Sequence, residues 1–304
     1  MSWEADIAVD ERLARRLLAR FPSLRLSSVE PLSEGWDRSV WLVDRTWVFG
    51  FPRRRVAVPG IEREIAVLPA LAPLLPLPIP VPELVGEPSD GFPWPFWGSR
   101  HLPGIELCDA EPAGRARLEI AVALARFLRR LHAPHVETAL APYGLPSDGN
   151  RRADMADRVP KTRAALAEVA QAGLWSPPAG VGELLDEAER LPPSTRLSVV
   201  HGDLHVRHLL VDGGRAAAVI DWVDVCRTDP AVDLQLYWSY LTPGERPAFL
   251  AAYGPVSDDQ LVRARIVALS LCAHLALYGH DRGLPVLERS AVDGLALAAA
   301  FARP

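Results

Sequence analysis

The most constraining feature of the sequence is a short β-like island inside a long stretch of helical pattern. Apolar residues recur at helical spacing around 115–132, 151–172, 181–190, 258–278 and 285–302. Between the third and fourth of these runs the chain reads RLSVV, HGDLHVRH, LLVD, Gly213-Gly214 and AAAVIDW, which is typical of strands and a hairpin. The chain cannot therefore be a plain helical bundle, and the island holds most of its unusual polar residues.

The first hundred residues have a different pattern. An amphipathic helix is predicted over 10–21 and another over 60–71, while SSVEPL, SVWLVD, TWVFGF and PFWGSR have the composition of short strands. The strands on either side of Asp44-Arg45 are predicted to form a hairpin, and Leu102-Pro103-Gly104 is a candidate connector. We therefore expect an α+β fold with a small N-terminal lobe built on an antiparallel sheet (1–102) and a mainly helical C-terminal lobe (103–304).

The amino-acid composition limits the classes of partner and the cellular location that we expect. The 304 residues carry 33 Lys and Arg against 38 Asp and Glu, a net charge of −5, so no broad positive field is available for nucleic acid. Three cysteines give neither a disulfide framework nor a CxxC metal clip. The first residues lack a signal-peptide core and the most apolar run is broken by prolines, so we expect a cytoplasmic protein with no membrane segment.

The island concentrates reactive side chains. His201, Asp203, His205 and His208 fall within eight residues on a loop, and Asp221 ends the next strand. Phosphoryl transfer would use a carboxylate that accepts the proton of the attacking hydroxyl, together with metal-binding groups. A zinc or two-metal hydrolase would instead use the histidines and Asp203 as ligands. The island alone leaves both chemistries open.

The segments on both sides of the island, together with its own motifs, resemble a known protein family. HGDLH with His208 three residues on, IDW after the Gly-Gly turn, and TDPAVDL resemble the aminoglycoside and macrolide phosphotransferase family, relatives of the protein kinases. Upstream, EGWDRSVWLVDRTWVFGFPRR is similar to the nucleotide-covering loop and third strand of that family, REIAVLPALAP to its glutamate-bearing helix, and FPWPFWGSRHLPGIEL to its hinge. The resemblance implies a two-lobed kinase-like fold that binds nucleotide in the N-terminal lobe. It also implies catalysis and substrate binding in the C-terminal lobe, with phosphate passed from ATP or GTP to a hydroxyl of a small molecule.

The resemblance also implies residue roles. Asp203 would be the catalytic base, and Asp221 and His208 would bind Mg²⁺, although most of the family has asparagine where His208 stands. Because Mg²⁺ prefers oxygen ligands, an imidazole there also suits Mn²⁺. The remaining roles implied are nucleotide contacts by Glu64, Ser99 and His101, and structural support by His201, Asp229 and Asp233.

One departure bears on activity. The family places a lysine or arginine on the third strand, where this chain has Gly50, and the one lysine of the sequence, Lys161, lies far away. We expect Arg38 or Arg54 to supply the missing positive charge at the phosphates. The alternative is a catalytically weakened kinase-like protein that binds nucleotide or another ligand without turning it over.

The acceptor is less constrained. By position, the helical lobe offers Asp224, Trp238, Tyr278 and Asp281 as substrate contacts. Few acids and many apolar residues near the C-terminus, with His208, favour a macrolide-like acceptor over a polycationic aminoglycoside, and a metabolite is equally allowed. The choice between ATP and GTP, and the oligomeric state, stay open.

Overall fold

The computed structural model describes residues 5–35 and 37–300. The first four residues of the predicted N-terminal lobe and the last four of the predicted C-terminal lobe lie outside the described residues, and with them the last two residues of the predicted helix over 285–302. A five-stranded antiparallel sheet begins the fold, with strand order β1-β2-β3-β5-β4. Its strands are β1 (Val29–Glu34), β2 (Arg38–Val43), β3 (Trp47–Pro52), β4 (Leu84–Gly86) and β5 (Phe96–Arg100). The sequence did not predict β4, which is too short to show an alternating pattern.

The hairpin between β2 and β3 forms at the predicted turn. Asp44 and Arg45 both take the left-handed backbone conformation that tight hairpins favour, with φ of 50° and 53°. The Asp44 carboxylate accepts four backbone N–H groups, those of residues 25 to 28, at 2.7 to 3.2 Å. These bonds tie the turn to the segment that leads into β1.

Two helices cover the sheet from opposite sides. Helix α1 (Glu11–Leu18) packs with the aromatic side chains of one sheet face in a separate buried cluster. Helix α2 (Val58–Leu71) instead shares one large core with the second half of the chain, through Val67, Leu68 and Leu71. Its first turn lies so close to residues 220–223 that a side chain at Gly60 would overlap Val223.

The rest of the described chain is mainly helical. Its helices are α3 (Leu107–Ala110), α4 (Gly114–Leu131), α5 (Pro134–Leu140), α6 (Met155–Gln171), α7 (Val181–Glu189), α8 (Gln235–Ser239), α9 (Arg246–Tyr253), α10 (Asp258–Arg282) and α11 (Pro285–Ala299). Two small sheets interrupt them, built from β6 (Ile105–Glu106), β8 (Leu209–Asp212) and β9 (Arg215–Val219), and from β7 (Ser198–Val200) and β10 (Cys226–Thr228). The α+β two-part architecture expected from the sequence is confirmed.

Helix α10 spans 25 residues. Within the described residues it is the one helix long and apolar enough to cross a membrane, with a mean hydropathy of 1.5 over its best window. Of that window, 56% is buried inside the protein. Buried apolar residues on α10 pack against α6, α7 and α11, as expected of a core helix.

Candidate active site

The loop between β7 and β8 presents the candidate catalytic residues, and Asp233 holds its start. The Asp233 carboxylate accepts the backbone N–H groups of His201 at 2.7 Å and Gly202 at 3.0 Å. Gly202 has a φ of 89°, and a Cβ there would lie 2.5 Å from the carbonyl oxygen of Asp224. Only glycine fits this close approach, and the loop is therefore fixed immediately before Asp203.

Asp203 lies at the tip of this loop. About 30% of its side chain remains accessible, and its Oδ2 lies 3.7 Å from Nε2 of His205. Burial raises the pKa of Asp203 to about 7, and the nearby charges of His208 and Arg152 limit the rise. A carboxylate with a pKa near neutrality can accept a proton from a substrate hydroxyl and release it again.

His208 and Asp221 face each other beside it. The Nδ1 of His208 donates to the backbone oxygen of Asp203 at 2.7 Å, so the neutral ring has its lone pair on Nε2, 3.5 Å from Asp221 Oδ2. Although burial alone would raise it, the pKa of Asp221 is lowered, because a protonated His208 and the Arg38 guanidinium favour its carboxylate. Its φ of 63° is unusual for a residue with a side chain, as at many functional sites.

This pair of groups fits a divalent cation. An imidazole lone pair and a carboxylate that converge at this separation form two adjacent positions of a coordination shell, and the hydrogen bond to Asp203 fixes the ring tautomer. Within the described residues, ligand atoms of Asp203, His205 and His208 also lie within 4.8 Å of one another. His201 does not join them, since its Nε2 donates to Ile220 O at 2.9 Å and its Nδ1 accepts the N–H of Asp203. The four-ligand zinc cluster considered from the sequence therefore does not form.

A cleft of about 440 Å³ opens between the five-stranded sheet and the island. His208 and Asp221 line its floor, and an ion pair of Glu106 with Arg207, at 2.8 and 3.1 Å, lies at its edge. Five of the predicted site residues line the cleft: His208 and Asp221 on the floor, and Arg38, Ser99 and His101 on the sheet side, where Gly50 and Trp97 also lie.

Arg38 occupies the space that a side chain at Gly50 would take. A Cβ at Gly50 would lie 2.6 Å from Cδ of Arg38, and the two residues come from the paired strands β2 and β3. The Arg38 guanidinium forms an ion pair with Glu64 of α2, and Glu64 also accepts the Trp97 Nε1–H at 3.1 Å. Burial raises the pKa of Glu64, which Arg38 counteracts. Glu64 therefore lies behind Arg38 and not on the cleft surface.

Arg54, the other candidate for the missing charge, lies elsewhere. Its guanidinium is bound to the Asp37 carboxylate, with Nε 2.7 Å from Oδ1, and it does not line the cleft. The sequence could not separate the two arginines, because the choice depends on which of them crosses over Gly50.

A second, smaller cavity lies on the other side of the catalytic loop and contains Asp203. Of the predicted substrate contacts, only Asp224 comes close, through its ion pair with Arg152 at 3.1 Å. Trp238 is held between Arg246 and Arg265, Tyr278 packs under Arg282, and Asp281 is exposed; none of the three lines this cavity. The remaining predicted support residue, Asp229, caps the turn at 230–232 and accepts from Gln260 at 3.1 Å.

The sequence missed several residues of the site. Arg158 reaches the smaller cavity from α6, and Arg152 reaches it from the segment before that helix. His132 donates to Asp233 from the end of α4. None of these three residues lies near the island in sequence, and no local sequence pattern identifies them as part of the site. The charge of an arginine on an otherwise apolar helical pattern is the one available signal, and it does not distinguish a site from a solvated face.

Comparison with known proteins decides the family. The sequence pattern described as the phosphotransferase enzyme family (APH) matches residues 28–264. The chain belongs to this family. A curated relative, the uncharacterized protein YcbJ of Bacillus subtilis (strain 168), is 39% identical over 57 residues, which cover 18% of this chain and 19% of that protein.

Solved structures agree along nearly the whole chain. The GDP and kanamycin complex of APH(2″)-IIia superposes with a TM-score of 0.69 at 25% identity, covering 95% of this chain and 98% of that one. The apoenzyme of macrolide 2′-phosphotransferase MphH from Brachybacterium faecium superposes with a TM-score of 0.61 at 23% identity, covering 93% and 97%. The resemblance expected from the sequence motifs is confirmed, as is the kinase-like fold.

Proposed function

We propose that this phosphotransferase moves the γ-phosphate of ATP or GTP to a hydroxyl group of a small molecule. The observation that carries the proposal is the position of Asp203 next to His208. The larger cavity has His208 and Asp221 on its floor, the smaller contains Asp203, and Asp203 Oδ2 lies 3.9 Å from His208 Nδ1. A donor in the larger cavity and an acceptor hydroxyl in the smaller one can thus meet beside this carboxylate.

Asp203 acts as the base. The acceptor oxygen forms its bond to the γ-phosphorus while the bond from that phosphorus to the β–γ bridging oxygen breaks, and the hydroxyl proton passes to Asp203. The products are a phosphate ester and the nucleoside diphosphate. A pKa of about 7 lets Asp203 take up this proton near neutral pH.

His208 Nε2 and Asp221 Oδ2 would hold a divalent cation, Mg²⁺ or Mn²⁺. When bound, such a cation neutralises the charge of the phosphate groups. His208 keeps its Nε2 lone pair available because its Nδ1–H is committed to the backbone oxygen of Asp203. Arg38 adds a positive side chain to the same cleft, which supports a functioning phosphate site despite Gly50.

The larger cleft suits the donor. Its volume of about 440 Å³ falls in the range of ordinary ligand sites, and Ser99 and His101 line it next to the connector. Solved relatives are described as complexes with GDP and, for APH(2″)-IIa, with streptomycin and ATP. We extend nucleotide donation to this chain on that basis, and we place the reaction in the cytoplasm, where these nucleotides are abundant.

Nucleotide-dependent stability tests the proposal. We expect ATP or GTP with Mg²⁺ or Mn²⁺ to raise the unfolding temperature by several degrees, because ligand at a hundredfold excess over Kd adds about 2.7 kcal/mol to the folded state. Asp203→Asn should keep this shift and lose phosphate transfer to a panel of hydroxyl compounds, since the base acts on the acceptor. Asp212→Asn, at an exposed position at the end of β8, is the matched control and should behave as wild type.

Two results would contradict the proposal. Absence of any nucleotide-dependent shift would remove the donor site, and transfer at the wild-type rate in Asp203→Asn would remove the base. A nucleotide shift without transfer from the wild-type protein would favour the alternative that Gly50 motivates, a nucleotide-binding protein of weakened activity.

A further inference from the structure

The smaller cavity has a specific composition. It measures about 70 Å³ and combines Gly202 and Asp203 of the catalytic loop with Ser270 and His274 of α10. A water molecule needs roughly 10–15 Å³ of such space, so the cavity accommodates a group of a few heavy atoms, such as a carboxylate or a hydroxymethyl. Because Asp203 lines this cavity and not the larger cleft, the part of the acceptor that reacts must enter here.

Two arginines also line the cavity, and their surroundings differ. Arg152 is neutralised, since it forms ion pairs with Asp148 at 2.9 Å and with Asp224 at 3.1 Å. Its guanidinium therefore organises the acids beside Asp203 and brings no net charge to a ligand.

Arg158 lacks this compensation. Its guanidinium donates to the backbone oxygen of Asn150 at 2.8 Å, and its Nε is buried with no hydrogen-bond partner among the described residues. Over the described parts of the chain, no carboxylate oxygen lies within 4.0 Å of its guanidinium nitrogens, in contrast to those of Arg152. Burial and the neighbouring charge of Arg152 lower the pKa of Arg158 more than the carboxylates of Asp148 and Asp157 raise it. A buried donor without a partner is costly. Because this Nε is closed to solvent, a ligand in the cavity would be bound by the terminal N–H groups of the Arg158 guanidinium.

We propose that the acceptor is a small hydroxyl compound bearing an oxyanion, a carboxylate or a phosphate, which Arg158 binds while the hydroxyl meets Asp203. This deepens the proposed function and rests on it. Guanidinium and oxyanion match in charge and in hydrogen-bonding geometry. The covalent step is the one given above, and the oxyanion of the acceptor takes no part in it.

The arrangement disfavours the acceptors of the structural relatives. An aminoglycoside brings several ammonium groups, which Arg158 would repel at the point where the hydroxyl must enter. A macrolide brings a large apolar ring system, whereas the cavity beside Asp203 is small and lined by charged and polar groups as well as by Leu204 and Val267. The macrolide-like acceptor favoured by the sequence is therefore replaced in this proposal by a small anionic one.

A matched set of acceptors tests the proposal. Glycerol, glycerate, glycerol 3-phosphate and 3-amino-1,2-propanediol share one skeleton and differ in charge, and kanamycin and erythromycin represent the acceptor classes of the relatives. Binding is measured calorimetrically with a non-hydrolysable ATP or GTP analogue and Mg²⁺, and transfer is measured with the nucleotide itself. We expect the two anionic compounds to bind at least tenfold more tightly than glycerol and the cationic one more weakly. The carboxylate and phosphate arms identify the preferred oxyanion.

Variants assign the effect to Arg158. Arg158→Gln should remove the tenfold preference and Arg158→Lys should retain part of it, while both keep the nucleotide-dependent shift in unfolding temperature. Arg163→Gln, on the same helix outside the cavity, is the control and should change nothing.

Two outcomes would overturn the proposal. One is that neither anionic compound binds better than glycerol. The other is that kanamycin or erythromycin is phosphorylated with a KM that Arg158→Gln leaves unchanged. In the second case the proposed function stands and only the acceptor class fails, whereas loss of nucleotide binding in the wild-type protein would count against the proposed function itself.

Discussion

At the scale of single residues, Arg38 and Gly50 form one unit. The absence of a side chain on β3 gives the Arg38 side chain of β2 the room to cross the strand and reach Glu64. The cation–carboxylate pair that kinases build from the third strand is thus built here from its neighbour. Gly50 alone would leave the cleft without a positive side chain at this position, and the Arg38 side chain supplies one from the neighbouring strand.

Exchange of the two residues tests this interpretation. Arg38→Ala removes a charged group that would contact phosphate, and we expect it to weaken nucleotide binding by about 2 kcal/mol, roughly thirtyfold. Gly50→Lys alone should also be harmful, because the new side chain overlaps Arg38. The double variant should bind better than either single variant, and calorimetry of the four proteins measures the coupling.

Arg54→Ala is the matched control for this exchange. Arg54 is bound to Asp37 outside the cleft, so its loss should leave nucleotide affinity within about twofold of wild type. Equal affinity of Arg38→Ala and wild type, or a double variant weaker than both single variants, would contradict the compensation.

At the scale of elements, the loop between β7 and β8 depends on a brace from outside the island. Asp233 follows β10 and binds two loop N–H groups, while His132 at the end of α4 donates to its Oδ2 at 3.1 Å and contacts Tyr253 at 2.9 Å. Three elements thus converge on one buried carboxylate. Burial alone would raise the pKa of Asp233, but the pKa is lowered because His132, His201 and the loop N–H groups favour the ionised form.

This brace makes the free energy of unfolding depend on pH in the acidic range. A carboxylate whose folded pKa lies below its ordinary 3.8 contributes stability above that pH and loses it as the pH falls toward the folded value. We expect Asp233→Asn to lower the free energy of unfolding by about 3 kcal/mol at pH 7, with the difference from wild type narrowing below pH 4. Urea unfolding across this range measures it.

Asp212→Asn provides the control for the brace, since this exposed carboxylate should change the unfolding free energy by less than about 0.5 kcal/mol. A deficit of Asp233→Asn that stays constant from pH 7 to pH 3 would show that the carboxylate charge is not what stabilises the loop.

The elements also show which parts of the site are predictable. Asp203 and His208 directly precede the hairpin of β8 and β9, and Asp221 directly follows it, so the hairpin accounts for their proximity, and the structure brings them together. Arg158 comes from a helix some 45 residues upstream, and its place beside Asp203 depends on the packing of α6 against α10, which no local pattern encodes. Short elements such as β4 and α5 were missed for a related reason, since their boundaries depend on partners distant in sequence.

At the scale of the whole molecule, the predicted division at residues 102 and 103 does not coincide with a division of the core. Ile61, Leu68 and Trp97 from the first part belong to one buried cluster with Phe127 and Trp222 from the second. The sheet has its own small core on the opposite face, under α1. The division into lobes therefore stays a proposal about function, and the packing predicts joint unfolding.

Spectroscopy can check this joint unfolding. Six of the nine tryptophans precede residue 98, so fluorescence reports mainly on the first part, whereas far-UV circular dichroism reports on the helices of the second. We expect the two signals to share one thermal midpoint, because separating the parts would expose the common core. Leu68→Ala should lower both midpoints together, at a cost of 2–5 kcal/mol typical of a buried leucine, while Leu118→Ala, 40% exposed, should change them little. A fluorescence transition well below the dichroism transition, or a Leu68→Ala effect on fluorescence alone, would mean that the sheet and α2 unfold as an independent unit.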